Sequence, residues 1–568
     1  LYKDLLPFLN TEEHSLSELM NLKGRYQYIA STAISLLGNP GEEKPYVSFS
    51  WISLDENLQM GYDLMKEQFF HAVLSQEEVA QGLSSLLSSI RSSIQSTPFQ
   101  YLLQTAGGRV SRAYRYMDNL KGVPFYEFLL KVDEKFKENP QELIDHLTEL
   151  RESIYNRNGA IALYAGNEES IRMHREISDA WLLDLGNEER EPSGADYPIP
   201  PKNVALIVDS NVQYNGILAD YAVLGVEDYE YEQRLISSIM DDRFLLPILR
   251  DTYGVYDILQ QPIQDVGYTI ISYRDPNVGI TYDVYAQLSE KLANLEITQE
   301  EVDQYIMNTY SSLALPNGEL SGAVNAATLP LLGKDQNDVF TYMRQLKSMT
   351  PEKIQAYVPF FEKLSAEGGK FTAGGAAAIN ENADLFDEIL NPFGVEDLSD
   401  KELADVAMDD ADADIIKSVV TAGFLSLDEN GSFRPEEEAT AGDVAAFIYS
   451  LLGGGSNQEE AVAALSQYGL LSPETAVEDV PTREEIANLL ASLMTLSGVE
   501  LTPGEEEVSI ADEASPAMNW ALTNGIMLPK EKDGELVSAS EDPLLRKELA
   551  KLIYVFAMDE DEAEEGEE

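Results

Sequence analysis

The 568-residue sequence contains no cysteine, which excludes disulfides and thiolate metal sites. That absence suits a protein working outside a bacterial cell, though it fits other settings too. Cations are scarce. Against 39 Lys and Arg stand 100 Asp and Glu, and the resulting formal charge of -61 repels nucleic-acid phosphate and anionic membrane surfaces. Nucleic acid is therefore not expected as a partner. No run of eighteen apolar residues occurs, so membrane insertion is not expected either. The chain opens Leu1-Tyr2-Lys3-Asp4, without an initiator Met or a signal-peptide pattern, and this reads as a cut or trimmed end.

What is present is ample for folding. An apolar content of 44% over this length exceeds what one core absorbs, so three or more domains are expected. Gly61–Phe70 and Glu77–Ser93 have helical periodicity, whereas Tyr46–Ile52 alternates like a half-buried strand. A Pro-, Gly- and Glu-rich joint over Glu189–Pro201 separates this block, 1–190, from a second, 191–397, which begins with the strand Asn203–Val208. In the second block Gly267–Tyr273 and Gly279–Tyr285 read as paired strands, and Ala286–Ala293 and Gln299–Ser312 as helices. The composition changes again after Asn391-Pro392-Phe393-Gly394, giving a third region, 398–557, and a like-charged tail, 558–568, expected to be disordered and to aid solubility.

The segment Leu249-Arg250-Asp251-Thr252-Tyr253-Gly254-Val255-Tyr256 sets a cation and a tyrosine six positions apart across a glycine. Arg250 can offer a fixed fork of donors and Tyr256 a hydroxyl, and both can grip a peptide carbonyl or stabilise an oxyanion beside a metal. The same residues also read as a helix end, a glycine turn and a strand start.

Arg109–Tyr114 with Gly122–Leu129, and Leu249–Tyr256 with Ser272–Asn277, resemble the third and fourth domains of the pitrilysin/insulinase family of zinc metalloproteases, specifically the C-terminal half of its presequence-protease-like branch. The resemblance covers roughly 1–395. It implies an α+β fold of two homologous sandwich domains, one half of a clamshell that closes on unfolded peptide. It further implies that Arg250 and Tyr256 act in catalysis, with Gly254 beside them in substrate binding. The zinc of that family lies on an inverted His-x-x-Glu-His helix in the N-terminal half, which becomes the expected partner. None of the four histidines here, His14, His71, His146 and His174, begins that motif. The nearest approach, His146-Leu147-Thr148-Glu149-Leu150, has an apolar residue in place of the second ligand, so no metal is assigned to this chain. The local pattern departs from the family at Tyr253 and Asp257, where glycines are usual. The family's third domain also opens with strands not seen ahead of Leu1–Leu9, so an upstream segment is expected to complete that sheet.

In 398–557 three units recur, each a helix, a glycine turn and a polar loop opening a second helix. Gly423, Gly469 and Gly525 mark them, 46 and 56 residues apart. They resemble surface-layer homology modules, and the fold expected for the region is all-α. That resemblance implies a bacterial cell-surface or extracellular location and a grip on secondary cell-wall polysaccharide of Gram-positive bacteria through Arg483 and Arg546, the first unit having Ala441 instead. Helix capping offers a plain structural alternative for the same residues. Asp428-Glu429-Asn430-Gly431 lacks the spacing of a calcium loop and is read as a turn. The resulting expectation is the non-zinc-binding half or subunit of a secreted zinc peptidase. The alternative is a non-catalytic peptide-binding module or structural scaffold anchored to the cell wall.

Overall fold

In the computed structural model the described residues are 1–557 except 27–28, 38–43, 159, 184, 188–196, 209, 211, 227–230, 264–265, 314–317, 333–342, 396–397, 399–402, 408–409, 422–423, 429, 452–457, 468, 497–500, 503, 505–507 and 533. The tail 558–568, Gly423, Glu429 and most of the 189–201 joint lie outside them. The chain divides into two compact units, Leu1–Ile207 with Asn211–Pro392, and Val208–Ser210 with Phe393–Glu568.

The first block of unit 1 is largely helical. Leu58–Phe70, Gln76–Ser96, Pro98–Val110, Arg112–Lys121, Val123–Glu138 and Pro140–Ile154 follow one another with short breaks, several of them at a proline that opens the next helix. Tyr2, Leu5, Leu83, Leu129 and Leu147 fill one core, so the opening residues are a helical plug, with the Tyr2 hydroxyl donating to the Phe69 carbonyl at 2.7 Å. Strands β1 (Ile29–Leu37) and β2 (Lys44–Ile52) form an antiparallel hairpin. Phe49 and Trp51 of β2 pack on Phe69 and Tyr62, with ring centroids 4.7 and 5.0 Å apart. Gly61 permits this approach, because a Cβ there would lie 2.4 Å from Trp51 Nε1.

The second block holds a six-stranded mixed sheet. Its strands are β3 (Val204–Ile207), β4 (Gln213–Asp220), β5 (Asp257–Ile263), β6 (Gly267–Asp275), β7 (Gly369–Gly374) and β8 (Glu388–Leu390), in the order β5-β6-β4-β7-β3-β8. β3 runs parallel to β7 and β8, and the other pairs are antiparallel. Helix Pro98–Val110 packs on β4 and β7, and Arg109 forms a 2.5 Å ion pair with Glu388 of β8. The unit is thus mixed α and β as expected, but two expectations are corrected. Among the described residues the first block carries only a hairpin where a second sandwich was expected, because helical periodicity persists through most of 58–154. Gly279–Tyr285, expected as a strand, is a helix. Its β-branched and aromatic content mimics a strand, yet Tyr282 and Tyr285, three apart, both bury and hydrogen-bond to the sheet backbone, Tyr282 to Phe371 O at 2.9 Å and Tyr285 to Asn215 O at 3.2 Å.

Unit 2 contains helices Ala413–Thr421, Ala441–Leu451, Gln458–Gln467, Arg483–Leu496, Pro516–Thr523 and Arg546–Ala557 around one core. It is not all-α, since β9 (Lys530–Lys532) and β10 (Glu535–Val537) form a hairpin. The starts of the second, fourth and sixth helices are joined in a closed ring of backbone hydrogen bonds. The Ala441 amide donates to Asp479 O, Arg483 to Asp542 O, and Arg546 to Glu437 O. The next residues repeat the pattern, with Gly442 donating to Val477 O, Glu484 to Ser540 O, and Lys547 to Pro435 O. In every case the acceptor stands four or six positions before the neighbouring helix start. The orphan amides of each helix N-terminus are thus satisfied by the next loop around a pseudo-threefold axis.

Side chains reinforce two of the three seams. Arg483 Nε donates to Ser538 O at 3.0 Å, and Arg546 Nε to Phe433 O at 2.9 Å, again equivalent positions. Each acceptor precedes a left-handed residue, Ala539 (φ 52°) and Arg434 (φ 60°). Arg546 also pairs with the buried Asp443 carboxylate, and Ala441 leaves the remaining seam without an arginine. Arg546→Ala should cost about 3–5 kcal/mol, because it strands a buried carboxylate. Arg483→Ala, which loses charge-assisted bonds to carbonyls, should cost less, about 1.5–3 kcal/mol. Chemical denaturation of the full chain checks both, and a neutral Arg546→Ala would mean that the ring does not depend on this staple.

Candidate functional site

The Arg250–Tyr256 segment sits where a helix hands over to an edge strand. Helix Tyr231–Met240 continues into a π-helical stretch, Asp241–Arg250, with Pro247 inside it. The Asp251 amide reaches back five residues to Leu246 O at 3.1 Å. Such widened turns commonly mark functional positions. Leu249 is buried, so Arg250 on the next position is turned outward and exposed. Gly254 is left-handed at φ 75°, a conformation that other residues adopt only under strain, and it closes the stretch with its amide on Arg250 O at 3.1 Å. Val255 then buries, and Tyr256, 55% exposed, stands just ahead of β5. Arg250, Gly254 and Tyr256 therefore share one short rim, with both polar side chains open to solvent.

Two further features of this rim come from the Ser272–Asn277 segment, to which the sequence assigns no site role. Arg274, at the end of β6 with φ 49°, holds its guanidinium 6.0 Å from the Tyr256 ring centroid, adding a second cation. Tyr273 lies 6.3 Å from Tyr256 and 5.1 Å from Tyr214, and both Tyr273 and Tyr214 pack on Phe99, so an aromatic chain links the rim to helix Pro98–Val110. A lone Arg-Asp-Pro turn in sequence carries no hint of a ring across from it. Asn277 ties the two loops together, its Nδ2 donating to Tyr253 O at 3.1 Å.

At the start of the same π-helical stretch, Asp241 accepts from Gln260 Nε2 at 2.6 Å, and Gln260 in turn accepts from the Tyr268 hydroxyl at 2.8 Å. Burial pushes the Asp241 carboxyl up to about 7; Gln260 partly offsets this, and the nearby charges of Asp242 and Asp257 add to it.

The remaining predicted residues fall elsewhere. Arg483 and Arg546, expected as glycan contacts, are 2% and 3% exposed and donate to carbonyls inside unit 2, where they act as internal staples. Asp428 accepts from the Asn430 and Ser432 amides, as a turn residue does. His146 lies exposed on helix Pro140–Ile154, along a groove of about 810 Å³ that Phe128, Phe136 and Leu147 also line.

Residues 1–132 match the family described as associated with subfamily C of the M16 peptidases. Over 393 residues the chain is 24% identical to Protein HypA of Clostridium perfringens, covering 68% of this chain and 40% of that protein. Over 243 residues it is 27% identical to presequence protease 1, chloroplastic/mitochondrial, of Arabidopsis thaliana, covering 42% of this chain and 21% of that one. The chain thus spans less than half the length of either relative. Among solved structures, a protease from Helicobacter pylori (TM-score 0.43, 14% identity, 66% of this chain and 89% of that one) and a peptidase M16 inactive domain from Pseudomonas fluorescens (0.41, 12%, 66% and 88%) are loosely similar. In sequence, this protein resembles M16-type peptidases of the presequence-protease kind.

A group whose folded pKa is raised stabilises the fold below its unfolded value and loses that contribution as pH rises through the folded one. For Asp241 the window runs from about 4 to about 7. Asp241→Asn, which keeps an acceptor for Gln260, should therefore match the parent at pH 4 and become progressively more stable than it towards pH 8. Denaturation midpoints of both proteins across that range test this, and a difference independent of pH would count against a neutral Asp241 in the fold.

Proposed function

We propose that this chain is the non-zinc-binding, C-terminal half or subunit of an M16-type zinc peptidase acting on unfolded peptides, and that Arg250 and Tyr256 are its contribution to the reaction. The observation that carries the reading is the joint exposure of these two side chains on one rim fixed by Gly254. The match of residues 1–132 to the peptidase-associated family and the likeness to presequence protease 1 support it. The hairpin β1–β2 is consistent with it: packed on helix Leu58–Phe70, it has no third strand among the described residues, and an open strand edge could pair with a strand from an N-terminal half.

The catalytic zinc would come with the partner, where it would supply Lewis-acid activation of water and of the scissile carbonyl. No inverted His-x-x-Glu-His helix exists here to hold it. The task of this chain's residues is positional and electrostatic. The Arg250 fork donates to a peptide carbonyl and orients it. The Tyr256 hydroxyl donates where negative charge grows on the carbonyl oxygen. Arg274 beside the ring adds positive potential on a surface that is otherwise strongly acidic. An extracellular or cell-surface location belongs to the same proposal and rests on the resemblance of 398–557 to surface-layer modules. Sedimentation of that region with purified Gram-positive walls tests it independently.

The chain alone, given zinc, should hydrolyse no peptide. Paired with its zinc-binding half, Arg250→Ala and Tyr256→Phe should each lower kcat/KM, by about 2–4 kcal/mol of transition-state stabilisation where the contact forms only in the transition state. A fluorogenic-peptide assay leaving both variants within a factor of about two of the parent would reduce these residues to structural roles.

A further inference from the structure

Outside the rim, one cluster of ligand-type side chains stands out in the first block. Loop Asn10–Ser15 is held by backbone hydrogen bonds against the end of helix Leu58–Phe70, with the Glu12 amide on His71 O and the Val73 amide on Asn10 O, both at 2.9 Å. Its exit is fixed by a capping box between Ser15 and Glu18. From the helix, Glu67 projects into this loop, 8% exposed, and takes Thr11 Oγ1 and His14 Nδ1 (2.9 Å) on one oxygen. Glu13, exposed on the same loop, brings a second carboxylate, and one ligand atom from each of Glu13, His14 and Glu67 lies within 4.8 Å of the others.

The charge is unbalanced. Glu67 is a buried carboxylate one turn from the carbonyl end of its helix, where the helix dipole also disfavours a negative group. With Glu13 added, a single imidazole cannot neutralise the cluster even when protonated. We propose that Glu13, His14 and Glu67 form a site for a divalent first-row transition ion, zinc foremost, which pins loop 10–15 to helix Leu58–Phe70.

One imidazole nitrogen and two carboxylate oxygens are a donor set suited to zinc rather than calcium or magnesium, and water can complete four-coordination. Donors about 2.0–2.2 Å from the ion stand roughly 3.3–3.6 Å from one another. The His14–Glu67 pair needs to open by only a few tenths of an ångström from 2.9 Å, and Glu13 can close in by rotating an exposed side chain. The inference does not depend on the peptidase reading, since it concerns a bound ion and no turnover.

The test is titration of the metal-free full chain with zinc by calorimetry and with cobalt by visible absorption. One saturable equivalent is expected, with a cobalt spectrum of imidazole–carboxylate type. Affinity should fall about tenfold or more in His14→Ala and in Glu67→Gln. It should fall measurably in Glu13→Gln, whose exposed side chain can change without disturbing the fold. Circular dichroism identifies any variant that fails to fold, and Glu13→Gln then decides. Uptake that never saturates, or one equivalent that survives the substitutions, would overturn the site and leave His14 and Glu67 as an ion pair.

Discussion

The Asp275 carboxylate is wholly buried, and its oxygens accept from Asn215 Nδ2 (2.9 Å), Ser272 Oγ (2.6 Å), Thr281 Oγ1 (2.5 Å) and the Asn277 amide (2.8 Å). Four donors make a buried carboxylate tolerable where an unpaired one would be costly. They come from β4, from β6 and from the turn and helix that follow β6, so one side chain fixes the end of the strand, the turn after it and the first turn of helix Gly279–Tyr285. Asn277, held in that turn, then reaches the Tyr253 carbonyl in the loop that carries Arg250 and Tyr256. The rim is therefore set by a buried polar node.

This arrangement explains how an exposed site can be rigid in a chain with so little cationic charge. Arg250, Tyr256 and Arg274 gain little from their neighbours in sequence. Their placement comes from a widened helical turn, a left-handed glycine and a strand end clamped by Asp275. Under the proposed function, preorganisation of this kind would serve electrostatic stabilisation, because donors fixed before a reaction need no rearrangement during it. The aromatic chain through Tyr273, Tyr214 and Phe99 carries the same rim back to helix Pro98–Val110, where Arg109 meets Glu388 of β8.

Unit 2 uses the opposite strategy. Its arginines are turned inward, each spanning a seam between successive helix pairs, and its helix N-termini are capped by neighbouring loops instead of their own side chains alone. A motif that in sequence looks like a charged groove is here part of the scaffold. Burial distinguishes the two, and burial depends on what the next unit brings, so no single repeat could reveal it.

Local properties were legible in the chain itself. The helices Leu58–Phe70 and Gln76–Ser96, strand Lys44–Ile52, the glycine turn at 254 and the spacing of Arg250 and Tyr256 follow from periodicity and backbone preference, which act over a few residues. The helix at Gly279–Tyr285 was not legible, because its side chains fit either element and the decision came from two tyrosine hydroxyls finding sheet carbonyls some 70 to 90 positions away. The same holds for Arg274 over Tyr256, for the inward turn of Arg483 and Arg546, and for the meeting of His14 with Glu67. Each is a contact between residues whose separation in sequence carries no pattern, and only the folded chain, by burying some groups and leaving others in water, determines which polar side chains serve the scaffold and which remain free to act.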